Sequence, residues 1–304
     1  MQIYAAPLQG YTEAPWRHFH RLVYGEGVDC YFTPFLRIEG GDVRRKDLND
    51  ILSPLNEDVH VVPQIIFKDS DEFCALTDAA IDAGYKRIDL NLGCPFPPQV
   101  KKGRGSGMIG NRDVLAQIAE LMISCHGEIE FSVKMRLGVE SPDEWQSTID
   151  IINSMPLHHV TIHPRTACQQ YSGELQLNEL QTFKERCTKP LIYNGDLSEI
   201  SVMPGFEGIM IGRGLLARPS LVAEYLEGQA WSHEKRMGHI LRLHRYLLDY
   251  YADCLCGDTQ ILSKIKPFWD YLEPEIGHKP AKAIRKSTTL AKYNSIIASF
   301  NFRN

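Results

Sequence analysis

Short apolar runs recur along the chain, and longer mixed stretches separate them. The runs read IYAAPL (3–8), CYFTPF (30–35), VVPQIIF (61–67), RIDLNLG (87–93), FSVKMRL (131–137), HVTIH (159–163), PLIYN (190–194) and GIMIG (208–212). They are short and rich in β-branched and aromatic residues, the signature of strands buried on both faces. Between them, 70–84, 112–126, 142–155, 176–187 and 197–203 carry apolar residues at helical spacing. The first of these opens with Ser70 and Glu72 and closes at Gly84, which is cap chemistry. Residues 36–60 are charged and poorly periodic and predict a loop with helix fragments. Eight strands alternating with helices predict an α/β protein, a (β/α)₈ TIM barrel.

The pattern changes after Arg218-Pro219, beyond which no clear strand is seen. Stretches 239–255, 259–273 and 279–299 have helical spacing and predict a small all-helical domain. The boundary is expected near Gly228, giving a barrel over 1–227 and a helical domain over 228–304. Composition agrees: with 43% hydrophobic and 23% charged residues in 304, the chain is not disordered or fibrous. Its eight cysteines are scattered and form no C-x-x-C pair, so no metal site or disulfide framework is expected and a reduced, cytoplasmic setting is. The first residues turn polar after position 8, unlike a signal peptide, and no apolar window is long enough for a membrane span. A monomer is expected.

Charge is unevenly spread. Residues 1–226 carry 21 basic and 30 acidic side chains, a net of −9, whereas residues 227–304 carry 12 and 8, a net of +4. No acidic residue follows Glu275, while Lys279, Lys282, Arg285, Lys286, Lys292 and Arg303 do. Such a run is ordinarily a solvated helix face; a basic tail on an acidic body also suits a polyanionic partner. Lys279, Lys282 and Lys286 share one helical face with Arg285 beside it, and Pro280 is tolerated in a first helical turn.

In a parallel barrel the chemistry sits at the C-terminal ends of the strands. Those ends hold Pro7-Leu8-Gln9, Gln64, Asn91 to Cys94, Lys134 with Arg136, His163 with Arg165, Asn194-Gly195-Asp196 and Gly212-Arg213. Singly, each has a bland reading as a cap, a snorkelling lysine or a turn. Together they are too many polar groups to bury without a polar ligand. The glycine turns after strands 7 and 8, with the Arg213 guanidinium, suit a phosphate. Gln64 offers a donor and an acceptor to a planar heterocycle, and Lys134 offers positive charge where a reduced flavin gathers negative charge. These residues point to FMN. The strand–GxGxxG–helix of a dinucleotide site is missing. Cys94 faces the same mouth and begins a Gly/Pro/Lys/Arg-rich stretch (96–111) expected to cover substrate as a mobile loop. A free thiol is mostly protonated at neutral pH, so Cys94 suits a general acid, while the other cysteines read as structural.

APLQGYTEAPWR, LNLGCPFPPQVKKGRGSG, SVKMRLG, IHPRT, YNGD and MIGRG together resemble the tRNA-dihydrouridine synthases, in that order and at similar intervals over 1–218. Lys-x-Arg and Asn-Gly-Asp alone would also suit other FMN barrels such as dihydroorotate dehydrogenases, acting on a free pyrimidine or enone. A non-catalytic tRNA-binding protein is a further alternative. The resemblance implies an FMN-dependent oxidoreductase in which NADPH reduces the flavin and a uridine of tRNA becomes 5,6-dihydrouridine. It implies that Cys94 protonates the uracil. It also implies FMN contacts at Pro7, Leu8, Gln9, Gln64, Lys134, His163, Asn194, Gly195, Asp196, Gly212 and Arg213. Uracil contacts are implied at Asn91, Arg136 and Arg165, and the basic tail would hold the tRNA backbone. The sequence departs from the family pattern at Leu8, where Met is usual, at Glu13, where Asp is usual, and at Gly107-Met108-Ile109-Gly110.

Overall fold

The computed structural model describes residues 1–124 and 128–300. Cys125 and Arg303 therefore lie outside the described residues, as does the end of the helix expected over 112–126. Eight parallel strands close a barrel: β1 Gln2–Ala5, β2 Cys30–Phe32, β3 in two segments Val61–Val62 and Gln64–Ile65, β4 Arg87–Leu92, β5 Glu130–Gly138, β6 Leu157–Thr166, β7 Leu191–Asn194 and β8 Gly208–Ile211. The first segment of β3 pairs with β2 and the second with β4, so the strand broken at Pro63 closes the ring. Proline has no N–H to give the ladder, which explains the break.

The barrel interior is two-sided. Tyr4, Ala6, Phe32, Val62, Ile192 and Met210 form a small apolar cluster of their own. On the opposite side, β4, β5 and β6 alternate strictly. Ile88, Leu90, Phe131, Val133, Met135, Val160 and Ile162 join the large core. Asp89, Asn91, Ser132, Lys134, Thr161 and His163 occupy the intervening positions. A strand's side chains change face at every residue, so a polar inner face is built without disturbing the apolar outer one.

Several helices match the expected spans and others do not. Helix Ser70–Asp82 forms, but its cap is Asp69, whose carboxylate accepts the Glu72 N–H at 2.9 Å; Ser70 is already inside the helix. Helix Ala14–Tyr24, with Pro15 in its first turn, lies in a segment whose aromatic and basic residues blur the periodicity. Only 149–154 of the span 142–155 is α-helical, preceded by the 3₁₀ turn Glu144–Ser147. The reason is that the Glu144 carboxylate turns back onto the N–H groups of Val139 and Ser141. The segment 197–203 forms no helix. Its Leu197, Ile200 and Met203 pack on the core from an irregular chain, and seven residues are too few to offset helix nucleation. Residues 36–60 hold a hairpin (Ile38–Glu39 with Asp42–Val43), helix Arg45–Ile51 and a 3₁₀ turn, close to expectation.

Beyond the barrel, Leu221–Glu227 ends on Gly228 in the left-handed conformation. Helices His233–Cys254, Asp258–Ile265, His278–Lys286 and Leu290–Ala298 follow. The span 279–299 is thus two helices, because Ser287 is extended and Thr289 caps the Lys292 N–H of the next one. No helix among the described residues is long and apolar enough to cross a membrane.

Candidate active site

A cavity of about 770 Å³ opens at the C-terminal ends of the strands, within the roughly 300–1,000 Å³ of small-molecule and cofactor sites. Pro7, Leu8 and Gln9 reach it from the end of β1 and Gln64 from β3. Asn91 and Cys94 come from β4 and its loop, Lys134 and Arg136 from β5, and His163 from β6. Asn194, Gly195 and Asp196 close it after β7, and Gly212 and Arg213 after β8. Arg165 and the four basic residues of the tail do not line it.

The floor is a connected chain of hydrogen bonds. Ser132 Oγ donates to Asp89 Oδ1 at 2.6 Å, and Gln64 Nε2 donates to Asp89 Oδ2 at 2.7 Å. Asn91 Nδ2 donates to Gln64 Oε1 at 2.6 Å. Asn91 Oδ1 then accepts the backbone N–H groups of Gly93 at 3.0 Å and Cys94 at 2.8 Å. The Gln64 carbonyl, expected to be open to a ligand, is therefore already engaged. Burial pushes the Asp89 carboxyl up to about 6. Burial first, and Arg136 second, push the Lys134 ammonium down to about 8. His163 is held neutral by burial and by the positive charges of Arg136 and Lys134.

Cys94 sits above this floor, and burial raises its thiol above the ordinary cysteine range. The stretch 96–111, expected to be a mobile cover, is packed only in part: residues 104–106 and 108–109 are buried, whereas Phe96, Pro97, Pro98, Lys101 and Lys102 are exposed. Ser106 Oγ donates to the Cys94 carbonyl at 2.9 Å, and Met108 and Ile109 are buried. Arg104 is buried too, in a forked pair with Glu72. Gly105 has φ +60, and a Cβ there would come within 2.7 Å of Cys94 Cβ. Only glycine allows this approach.

The opposite corner is cationic. Asp196 bridges Arg165 and Arg213, the latter at 2.7 Å. Arg165, expected at the uracil, spends its other donors on the Gly173 carbonyl and His163 and does not line the cavity. Asp196 itself adopts φ +41, a costly backbone for a residue with a side chain, held by the two arginines. At Gly214 a Cβ would run into the Leu197 carbonyl, so the turns after β7 and β8 interlock.

Sequence reasoning missed the aromatic rim. The Arg213 guanidinium lies 4.6 Å, and that of Arg136 5.3 Å, from the Tyr171 ring centre. Tyr11 and Tyr271 meet edge to face at 5.3 Å, and Tyr11 Oη donates to Asp270 at 3.1 Å. The tail therefore contributes Tyr271 to the mouth. Tyr171 lies in a polar, Gly-containing loop with no periodicity, and nothing in its local sequence marks it. Lys279, Lys282, Arg285 and Lys286 are exposed on one helix. Arg285 pairs with Glu273, and among the described residues no ion pair engages the three lysines.

The donor set fits a flavin. Asn91, with both lone pairs of its carbonyl used, has only an N–H left to offer; Lys134 and Arg136 are donors by nature. A dioxo ring system rich in acceptors matches that floor, and a phosphate matches the Arg213 corner. Among the described residues, no three His, Cys, Asp or Glu side chains are grouped to hold a metal ion.

Residues 4–283 match the family model described as "Dihydrouridine synthase (Dus)". Similar curated proteins include a "Probable tRNA-dihydrouridine synthase" of Staphylococcus aureus (strain N315), 30% identical over 263 residues. That alignment covers 81% of this chain and 77% of the relative. The "Probable tRNA-dihydrouridine synthase 2" of Bacillus subtilis (strain 168) is 28% identical, covering 81% and 78%.

Proposed function

This chain belongs to the dihydrouridine synthase family, and from that premise we propose that it reduces uridines in tRNA to 5,6-dihydrouridine, with FMN as bound cofactor and NADPH as electron donor. The observation that carries the reading is the Cys94 thiol, held at the mouth of a donor-lined cavity by the bond from its own N–H to Asn91.

When bound, FMN would supply a hydride, drawn from NADPH, to C6 of the uracil. Gln64 and Lys134 would hold its ring system, and Arg213 with the turns at 195–196 and 212–213 would hold its phosphate. Asn91 and Arg136 donate to the uracil carbonyls. Cys94 would give its proton to C5, and its raised pKa keeps that proton available at neutral pH. A uridine reaches such a mouth only when flipped out of its stack, and the Tyr171 ring offers it a face. The exposed lysines of the tail supply charge for the phosphate backbone. Scattered cysteines without C-x-x-C spacing support a cytoplasmic setting.

The test is an anaerobic half-reaction. Flavin reduced in the purified protein should be re-oxidised by unmodified tRNA, with dihydrouridine formed, and not by uracil or orotate. Re-oxidation by a free pyrimidine but not by tRNA would overturn the assignment.

A further inference from the structure

Asp89 is fully buried and does not line the cavity, yet it ends the hydrogen-bond chain that runs under it. The direction of that chain is fixed at both ends. At one end the Gly93 and Cys94 N–H groups can only donate, so Asn91 must present its carbonyl to them and its amine to Gln64. At the other end an ionised carboxylate can only accept, so Gln64 must turn its amine toward Asp89. Both constraints select one orientation of the Gln64 amide. In it, one N–H goes to Asp89, the carbonyl goes to Asn91, and among the described residues nothing takes the second N–H.

We propose that Asp89 is a positioning residue that acts through Gln64, locking its amide so that a hydrogen-bond donor faces the bound ring. This rests on the flavin reading above. The carboxylate touches neither cofactor nor substrate; its role is to make the floor complementary to carbonyl and ring-nitrogen acceptors. Ser132, in register with Asp89 on the neighbouring strand, supplies the second partner that lets a buried carboxylate stay there.

The experiment separates orientation from folding. Asp89→Asn keeps an acceptor for Gln64, since the new amide can turn its carbonyl to Gln64 and its amine to Ser132. The exchanged pair Asp89→Asn with Gln64→Glu also keeps every bond of the chain, with Asn donating and Glu accepting, but leaves no N–H for the ligand. FMN affinity of the apoprotein is read by quenching of flavin fluorescence, and folding by thermal melting. Asp89→Asn should bind FMN within about threefold of the native protein, and the exchanged pair should melt similarly but bind at least roughly tenfold more weakly. An exchanged pair that binds like the native protein overturns the proposal, as does an Asp89→Asn that loses as much as the pair. If the pair does not fold, Asp89→Ala is compared in the native and Gln64→Ala backgrounds. Its effect on FMN affinity should vanish in the second, and an additive effect overturns the proposal. A native apoprotein that binds no FMN refutes the flavin reading itself, a result distinct from all of these.

Discussion

The side-chain carbonyl of Asn91 accepts the backbone N–H of Cys94 at 2.8 Å, so the thiol is held by a residue three positions earlier on the same strand end. That bond fixes where the proposed proton donor stands without touching the sulfur. Cys94→Ala should therefore leave FMN content and reduction by NADPH unchanged. Re-oxidation by tRNA should slow by roughly 10²–10⁴, the range for a lost general acid. Stopped-flow absorbance of the two half-reactions separates these effects. Cys254→Ala, at an exposed helix end, should alter neither.

The lowered pKa of Lys134 predicts a pH dependence for the site. Its pKa in the free protein is lowered to about 8, by burial first and Arg136 next, against the opposing pull of Asp89 and Cys94. Raising the pH through that value removes a positive charge from the floor. FMN affinity of the apoprotein should accordingly fall above pH 8, by at most about tenfold per pH unit for one linked proton. Lys134→Met should bind more weakly at pH 7 and lose this dependence. Titrations from pH 7 to 9.5 giving one constant affinity in the native protein would refute the assignment.

Arg213 is the residue proposed to hold the phosphate. It is shared with Asp196, so part of its charge is already compensated, but its guanidinium lines the cavity. Arg213→Ala should weaken FMN by the worth of a charge-assisted bond, about 1.5–3 kcal/mol, while riboflavin, which lacks the phosphate, should bind as before. Equal losses for the two flavins would mean that Arg213 acts by packing against Tyr171.

Gly105 tests the clamp under Cys94. Its left-handed φ and the 2.7 Å approach to Cys94 Cβ leave no room for a side chain. Gly105→Ala should cost about 1–3 kcal/mol of stability, seen as a lower melting temperature, and should slow the tRNA half-reaction by displacing the thiol. Unchanged melting would mean that the loop yields, as a mobile cover would.

The barrel is legible because buried strands advertise themselves: all eight apolar runs are strands. The candidate cavity is legible where polar residues sit at strand ends, as with Gln64, Lys134 and Asn194, which line it. What stays hidden is what depends on direction. RIDLNL reads as a buried strand, yet nothing in it says that Asp89 lies inward against Gln64 rather than against a helix until register with β3 is known. Arg165 shows the converse, a strand-end arginine whose donors are taken by Asp196 and Gly173. Helix breaks escape the periodicity where a side chain competes with the backbone, as Glu144 and Thr289 do.

The tail carries the last prediction. Lys279, Lys282 and Lys286 project from helix His278–Lys286, whose Ala281 and Ile284 face the core. Because Arg285 is tied to Glu273, the three lysines hold the uncompensated charge of that helix among its described neighbours. The same tail lends Tyr271 to the cavity, and Lys264 of helix Asp258–Ile265 bonds Glu13, the residue before helix Ala14–Tyr24, so it packs beside the mouth. Replacing all three lysines by Ala should weaken tRNA binding and lower the log–log salt slope by about 0.7–0.9 for each phosphate no longer neutralised. FMN content and NADPH oxidation should not change, since the lysines do not reach the cavity. If they serve only to keep a surface helix soluble, the triple variant will keep its tRNA affinity and salt slope with its circular dichroism intact, and the tRNA must then be held by another surface.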